Sequence, residues 1–502
     1  MILVLLIIIP ILGSLFCLSS EYFNKKFPRF FALITILTTL IISIYIWIYH
    51  FLYFTYHTYH SKWMLEFSES WISRFNINFH LGLDGLSLIM IILTNILGII
   101  SIIVSWDEIR KSTGLFYFNL IIILCCVLGI FISLDLFLLF FFWELILIPI
   151  YFLISFWGYD KKYRINAANK FFIYSQVSGI MLLISILGLA INFHNYTDLW
   201  TFDYNLLIKT PMPIFLEYVL MFCFFISFAI KMPIVPFHSW LPEASTYAPT
   251  AGSIDLSAIL VKTAAYCLLR FCICLFPNAS IYFTGLFMFL GLISIFYGAF
   301  MAFLQNDIKR IISYSAISHM GFILIAIYTG SKLSLQGVMI QIICSSLSIA
   351  ALFILSGQIY TIFKTRKMNE LGGLWTSYTF IASLFIFFIF ANLSVPFTGN
   401  FIGEFLILLG SFYKFPVITF VASCSLIISS IYYLSMLQNI CFGIVKNKYI
   451  FSKNFIKEYI ISIFILIALI YFGLFPKYIL YTTSYVIFDI YKYFNDFVLI
   501  KI

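Results

Sequence analysis

The sequence predicts an all-α, polytopic membrane protein with about fourteen transmembrane helices. Of its 502 residues, 63% are hydrophobic and only 10% are charged, which leaves too little polar surface to solvate a water-soluble domain of this length. Apolar stretches long enough to cross a hydrocarbon core recur along the whole chain. In lipid their backbone amides have no partners except one another, so the stretches are predicted to be helices.

The N-terminal segment, residues 1–18, is apolar and lacks the basic start of a secretory signal peptide and the Arg- and Ser-rich character of a transit peptide. We therefore interpret it as the first span of a protein made inside its own compartment. The high content of Phe (60) and Tyr (33) is similar to the bias of AT-rich organellar genomes. This composition favours the mitochondrial inner membrane, with a bacterial plasma membrane as the alternative.

Several functions are disfavoured by composition and motif. The 10 cysteines lie mostly in apolar spans without a C-x-x-C pair, so we interpret them as small buried hydrophobes. His50, His57 and His60 border the membrane interface among tyrosines, and we predict no metal site there. The net charge of +9 lies mainly in loops on one side and indicates orientation, not nucleic-acid binding. No phosphate loop or nucleotide motif interrupts the spans, so no cofactor site is predicted in this chain.

Basic residues in the loops predict the topology. Most Lys and Arg residues outside the spans lie in loops after odd-numbered spans. Basic loops stay on the side from which a chain is inserted, so both termini are predicted to lie on the opposite, outer side. On that side, residues 71–80 alternate between apolar and polar, which predicts a strand or hairpin. Residues 477–502 suit an amphipathic helix at the membrane interface.

Ionisable residues lie within spans, where charge is expensive. The fifth, seventh, eighth and twelfth spans carry, in that order, Glu144, Lys231, Lys262 and Glu404. Each costs roughly 2.5–3.5 kcal/mol at the bilayer centre. Paired charges could serve only to hold helices together, but charges on four separate spans favour a proton relay. His319, in the tenth span, is either a packing residue or a further member of that relay.

Asp255 lies two turns before Lys262 on the same helix face. It could pair with Lys262 or mark the end of the path.

Proline accompanies the charge in two of these spans. Lys231 is followed by Pro233 and Pro236, and Pro396 precedes Glu404. Proline removes an amide donor and clashes with the preceding turn, so both helices are predicted to be broken. Free backbone groups at membrane depth are tolerated where they line a polar cavity.

The broken helices are the seventh and twelfth spans, and an odd offset inverts the second copy of a repeat relative to the first. The sequence therefore predicts two inverted five-helix repeats. The predicted organisation is spans 1–3 with an outer-side strand or hairpin loop at 1–114, the first repeat at 115–276, the second repeat at 280–443, and span 14 with a C-terminal interfacial segment at 444–502.

Six strings in this sequence resemble the antiporter-like chain 4 family of NADH:ubiquinone oxidoreductase, respiratory complex I. The similarity extends over residues 80–445, and the eighth-span string is the most specific. The strings are LGLDGLSL (81–88), FFWELILIP (141–149), KMPIVPFHSWLPEA (231–244), APTAGSIDLSAILVKTAAYCLLRF (248–271), YSAISHMGF (314–322) and VPFTGNFIGEFLILLGSF (395–412).

The resemblance implies that Glu144 and Lys231 form an ion pair, that Lys262 is the central proton carrier and that Glu404 leads to the exit. It also implies a proton-translocating subunit of an enzyme, NADH:ubiquinone reductase, with FMN, iron–sulfur clusters and ubiquinone elsewhere in the parent complex and no redox centre in this chain. The implied partners are the other membrane and peripheral subunits, including paralogous antiporter-like subunits, and membrane lipids.

Two positions distinguish this chain within the resemblance. The paralogous chains 2 and 5 usually have lysine where Glu404 stands. The family's eleventh-span motif commonly has histidine where this chain has Ser345, so conduction there would need water or the hydroxyls of Ser345 and Ser346. Two other functions stay open: a subunit of an Mrp-type multisubunit cation/proton antiporter, which shares these motifs, and a purely structural membrane scaffold.

Overall fold

The computed structural model describes residues 1–54, 63–444 and 455–499. His57 and His60, and the side chain of His50, lie outside the described residues. Within the described part of the chain, 13 helices are long and apolar enough to cross a membrane, and one further span consists of two shorter apolar helices. This agrees with the predicted number of spans, and the all-α polytopic fold class is confirmed.

The spans are Ile2–Ser20, Phe27–Phe54, Gly85–Glu108, Thr113–Ile132, Leu136–Trp157, Arg164–Thr197, Ile214–Lys231, Thr250–Leu275, Thr284–Phe303, Ile308–Thr329, Lys332–Phe363, the two halves Thr379–Asn392 and Gly399–Phe412, Pro416–Cys441 and Ile456–Leu474. Shorter helices are Tyr204–Leu207, Trp240–Tyr247, Pro277–Tyr282 and Leu374–Ser377, with 3₁₀ turns at Ser73–Phe75 and Met368–Glu370.

Two elements outside the spans lie in the segments whose sequences predict a strand or hairpin and an amphipathic helix. Strands β1, Leu65–Ile72, and β2, Ile77–Leu83, pair antiparallel as a hairpin. Asn76 adopts a left-handed conformation at the turn, which asparagine tolerates better than most residues. The C-terminal segment forms one helix, Lys477–Leu499.

Both predicted helix breaks are confirmed. The seventh span ends at Lys231, and regular helix resumes only at Trp240. The twelfth span is interrupted between Asn392 and Gly399. Proline explains both interruptions, since it cannot donate to the preceding turn. A broken segment leaves amides that must find other partners, and Val235 N–H donates to Ser294 Oγ at 3.0 Å.

Two further helix irregularities were not predicted from the sequence. The eighth span contains π-helical stretches at Asp255–Leu260 and Leu268–Cys272, on either side of the α-helical segment Val261–Cys267 that carries Lys262. The fifth span is interrupted at Ile146, between the helices Leu136–Leu145 and Leu147–Trp157. Single π-helical turns are rare and frequent at functional sites.

The described chain forms two compact units. The first comprises Met1–Lys231, Lys262–Phe283 and Thr482–Ile502, and the second comprises Met232–Val261 and Thr284–Tyr481. The inverted repeats at 115–276 and 280–443 stay a prediction.

Loops within the first unit gather at two ends. Arg29, in the first turn of the second span, donates to the carbonyl of Ile109, which follows the third span, at 2.7 Å. Trp63, after the second span, donates from Nε1 to Asn205 Oδ1, after the sixth span, at 3.2 Å. Loops after odd spans thus meet at one end and loops after even spans at the other, as consecutive crossings of a membrane require.

Candidate proton-transfer site

Lys231 is the last residue of its helix and is 1% exposed. Its Nζ donates to the Trp143 carbonyl at 3.0 Å and lies 3.6 Å from the centroid of the Trp143 ring. The carbonyl is free to accept because the fifth-span helix ends at Leu145, and the last carbonyls of a helix have no intrahelical donor. The break at Ile146 therefore supplies the acceptor that holds the ammonium.

Glu144 does not contact Lys231 directly. Its Oε1 is buried without a hydrogen-bond partner among the described residues and packs so closely on Gly179 that a Cβ there would collide with it. The direct ion pair that the resemblance implies is therefore not formed in this structure. The physical reason is that Lys231 is already satisfied by the Trp143 carbonyl and ring, while the sixth-span glycine gives the Glu144 carboxylate a place beside it.

Lys262 lies in the first unit with no exposed surface. Its Nζ has no hydrogen-bond partner among the described residues. An ammonium without a partner is costly to bury, and ionisable residues at membrane depth mark ion pathways. The flanking π-helical stretches make this the most irregular intact span of the described chain.

In the second unit, the structure brings Glu404 and His319 together. His319 Nδ1 lies 3.1 Å from Glu404 Oε1, and Gln341 Nε2 donates to the same oxygen at 3.0 Å. All three side chains are buried. The other carboxylate oxygen, Oε2, and His319 Nε2 have no hydrogen-bond partner within the described chain. The contact with a carboxylate favours the relay interpretation of His319 over simple packing.

A second polar group crosses the break in the twelfth span. Ser348 Oγ donates to Asn392 Oδ1 at 3.1 Å and accepts from Asn400 Nδ2 at 3.1 Å. It therefore links the two half-helices to the eleventh span. The hydroxyl of Ser345, at the histidine position of the family motif, is buried and has no partner among the described residues. The hydroxyl of the next residue, Ser346, donates to the Ile342 carbonyl of its own helix.

Sequence reasoning missed three participants. Trp143 was hidden among apolar residues, and only its position before Glu144 could have drawn attention to it. Gln341 is a mid-span amide whose cost of burial is the same signal that identified the charges. Lys309 belongs by sequence to the basic residues of the loops after odd-numbered spans, but it is 1% exposed and donates to Ala248 O and Ser253 Oγ at 3.0 and 2.7 Å.

No group of three His, Cys, Asp or Glu residues in the described ranges is arranged to hold a metal ion.

Comparison with known proteins decides the family. The family described as "NADH:quinone oxidoreductase/Mrp antiporter, TM" matches residues 133–429, more than half of the chain. The chain belongs to this family. NADH-quinone oxidoreductase subunit M of Escherichia coli strain K12 is 49% identical over 496 residues, 97% of each chain. NADH-ubiquinone oxidoreductase chain 4 of Marchantia polymorpha is 33% identical over 474 residues, 94% of this chain and 93% of that protein.

Two solved structures contain a chain with the same fold as this protein. A chain of respiratory complex I from Thermus thermophilus with bound NADH has a TM-score of 0.86 at 23% identity and covers 98% of this chain and 100% of its own length. A chain of the membrane-bound sulfane sulfur reductase, an archaeal respiratory membrane complex, has a TM-score of 0.84 at 17% identity, with 97% of each chain covered. The resemblance to chain 4 and the multi-pass membrane location are confirmed.

Proposed function

We propose that this chain is a proton-translocating, antiporter-like subunit of a respiratory NADH:quinone oxidoreductase. The observation that carries the proposal is the set of buried ionisable side chains beside helix irregularities, in a chain 49% identical over 97% of its length to an NADH-quinone oxidoreductase subunit. The proposed proton carriers are Glu144, Lys231, Lys262, His319 and Glu404.

Lys231 is the switch in the first unit. In the arrangement seen here its ammonium is held by a neutral carbonyl and a ring face. A carboxylate in contact holds a proton on lysine more firmly than neutral acceptors do. Movement of Glu144 toward or away from Lys231 would therefore control when Lys231 passes its proton to Lys262. A conformational or electrostatic signal from quinone reduction elsewhere in the complex would drive that movement.

Glu404 is the exit group in the second unit. Its Oε1 is held by Gln341 and His319, which fixes the carboxylate, while its Oε2 accepts no bond from the described residues. One oxygen is thus a fixed anchor and the other is left to receive and give up a proton. In the proposal, backbone groups freed by the break before Gly399 line the polar path by which the proton leaves.

The redox groups of the parent complex are assigned to partner subunits. In the proposal, FMN and the iron–sulfur clusters belong to peripheral subunits, and ubiquinone is reduced outside this chain. The partners of this chain are the other membrane and peripheral subunits, including paralogous antiporter-like subunits, together with membrane lipids.

The test is purification of the complex by a tag on this chain, followed by reconstitution in vesicles. We expect flavin and iron to co-purify, NADH to reduce quinone, and turnover to acidify one side of the membrane. Lys262→Met should abolish most proton pumping, whereas Lys111→Met, which alters an exposed loop lysine, should leave it intact. Full pumping by Lys262→Met would contradict the proposal and support the scaffold function.

An Mrp-type antiporter subunit is the second candidate, because the matched family description includes Mrp antiporters. It predicts cation/proton exchange that is driven by an imposed cation gradient and needs no NADH. Co-purification with flavin and iron separates the two candidates.

A further inference from the structure

Arg270 and Asp84 form a buried ion pair in the first unit. Arg270 Nη1 lies 2.8 Å from Asp84 Oδ2, and the two side chains are 4% and 2% exposed. Arg270 is in the second π-helical stretch of the eighth span, and Asp84 is the residue before the third span. Both positions belong to the end of the unit at which the loops after even-numbered spans meet.

Aromatic rings and backbone amides surround the pair. The Arg270 guanidinium lies 4.3 Å from the centroid of the Trp63 ring and 5.7 Å from that of Tyr204. Asp84 Oδ1 accepts the N–H groups of Leu86 and Ser87 at 3.1 and 2.8 Å. The carboxylate therefore holds Arg270 with one oxygen and caps the third span with the other.

The pair lies on the course of the eighth span beyond Lys262. Lys262, Tyr266 and Arg270 are spaced four residues apart, so each lies about one helical turn beyond the last, and Arg270 is about 12 Å from Lys262 along the axis. Between them, the Tyr266 hydroxyl donates to the Phe131 carbonyl at 3.0 Å and is committed to that bond. Polar groups thus continue from Lys262 toward the outer end of the span.

We propose that the Asp84–Arg270 pair is a proton barrier that closes the outer end of the eighth span. Arginine stays protonated throughout the physiological pH range, so it cannot relay a proton from Lys262. A fixed arginine cation also repels protons and other cations in a membrane path. The barrier rests on the proposed function, because it prevents protons that reach Lys262 from leaving at the outer end of the eighth span.

A purely structural role explains the pair less well. Replacing a buried ion pair by neutral groups of similar volume is often neutral or stabilising, so such a pair is weak evidence of a stabilising role. A barrier requires a permanent positive charge at this place, and arginine is the side chain that supplies it.

The test measures passive proton leak in vesicles that contain the intact complex, with NADH absent. A pH gradient is imposed, and its decay is followed with a trapped dye. The double variant Asp84→Asn/Arg270→Gln removes both charges together and leaves neither position with an unpaired charge. Arg270→Gln alone is the second variant, since the remaining buried carboxyl can take up a proton and become neutral.

We expect the gradient to collapse several-fold faster in both variants than in the wild type. Addition of Lys262→Met should suppress the leak, because the leaking protons would pass through Lys262. The matched control is Asp307→Asn/Arg366→Gln, which removes an Arg–Asp pair of the second unit and should not leak.

Wild-type decay in either assembled variant overturns the barrier, and so does a leak that Lys262→Met leaves unchanged. The proposed function is tested separately by Lys262→Met alone, which should lower pumping without raising the leak. Undiminished pumping in that variant would refute the proposed function whatever the Arg270 variants do.

Discussion

The Lys231 ammonium lies over the ring of Trp143 and donates to the carbonyl of the same residue. Trp143 immediately precedes Glu144, so the tryptophan holds Lys231 beside the acid without an ion pair. The structure therefore presents the separated arrangement of a pair that the resemblance implied to be in contact.

Removal of the ring should weaken the hold on Lys231. A desolvated cation–π contact contributes roughly 0.5–2 kcal/mol, so Trp143→Leu should lower the rate of proton pumping several-fold while the complex still assembles. Trp375→Leu, which alters a partly exposed ring, is the control. Pumping in vesicles is the measurement, and equal rates for the two variants would remove Trp143 from the switch.

The glycine beside Glu144 offers a way to move its carboxylate without changing its chemistry. Gly179→Ala places a methyl group where Glu144 Oε1 lies, so it should impair coupled proton transfer as Glu144→Gln does. Gly285→Ala is the control, because a Cβ at Gly285 meets nothing within 4 Å. NADH:quinone turnover and pumping are measured together, and wild-type values for both Glu144→Gln and Gly179→Ala would refute the Glu144 switch.

Glu404 and Gln341 should act together at the exit. Glu404→Gln keeps the shape of the side chain but removes its titration, so fewer protons should be pumped per NADH. Gln341→Met removes one hydrogen bond to the carboxylate, about 1.5–3 kcal/mol, and should have the same effect more weakly. Gln305→Met, in a half-exposed loop, should behave as wild type. An unchanged proton-to-NADH ratio in Glu404→Gln would rule out Glu404 as the exit group.

The hairpin should lose stability as pH rises. His80 Nδ1 lies 2.5 Å from Asp203 Oδ2, and Nε2 lies 2.7 Å from Glu66 Oε1. Burial lowers the pKa of His80, but the hydrogen bonds and charges of Asp203 and Glu66 outweigh burial and raise the pKa above its ordinary value. A raised pKa in the folded state adds stability that is complete below about pH 6.5 and is lost as pH rises through the folded-state pKa.

Hydrogen exchange of the β1 and β2 amides measures this loss of stability. Exchange should quicken as the pH rises above about 6.5 by more than the intrinsic rate, and His80→Gln should abolish the excess. His194→Gln, which alters a histidine stacked on Trp200, should retain it. An excess that persists in His80→Gln would show that His80 is not its source.

The orientation predicted from basic loops can be tested by single-cysteine labelling. A cysteine at Lys161 should react with an impermeant reagent from the matrix or cytoplasmic side, and one at Arg74 from the other side. Cys424, an exposed native cysteine, is replaced by serine beforehand. Labelling of both positions from one side would contradict the fourteen-span topology.

The sequence by itself determined that the protein lies in a lipid bilayer, how many spans it has and which two helices are broken. Each of these follows from a free-energy cost that a short segment of sequence reveals. Apolar side chains are unfavourable in water, backbone amides in lipid must hydrogen-bond to one another, and proline removes one hydrogen-bond donor from its helix. The ionisable residues within spans, Glu144, Lys231, Lys262 and Glu404, could be identified for the same reason. The free-energy cost of a charge within an apolar segment can be recognised without knowing which residues surround it in the fold.

Tertiary structure decided which groups meet. The carbonyl that holds Lys231, the glycine against Glu144 and the amide of Gln341 beside Glu404 all come from another span, and sequence spacing carries no information on such contacts. The same is true of Arg270, whose partner Asp84 lies far away in the chain and meets it only when the loops after even-numbered spans are brought to one end. The free-energy cost of placing a charge within a span identifies a candidate functional side chain from the sequence, but only the packing of the spans determines which residue it contacts.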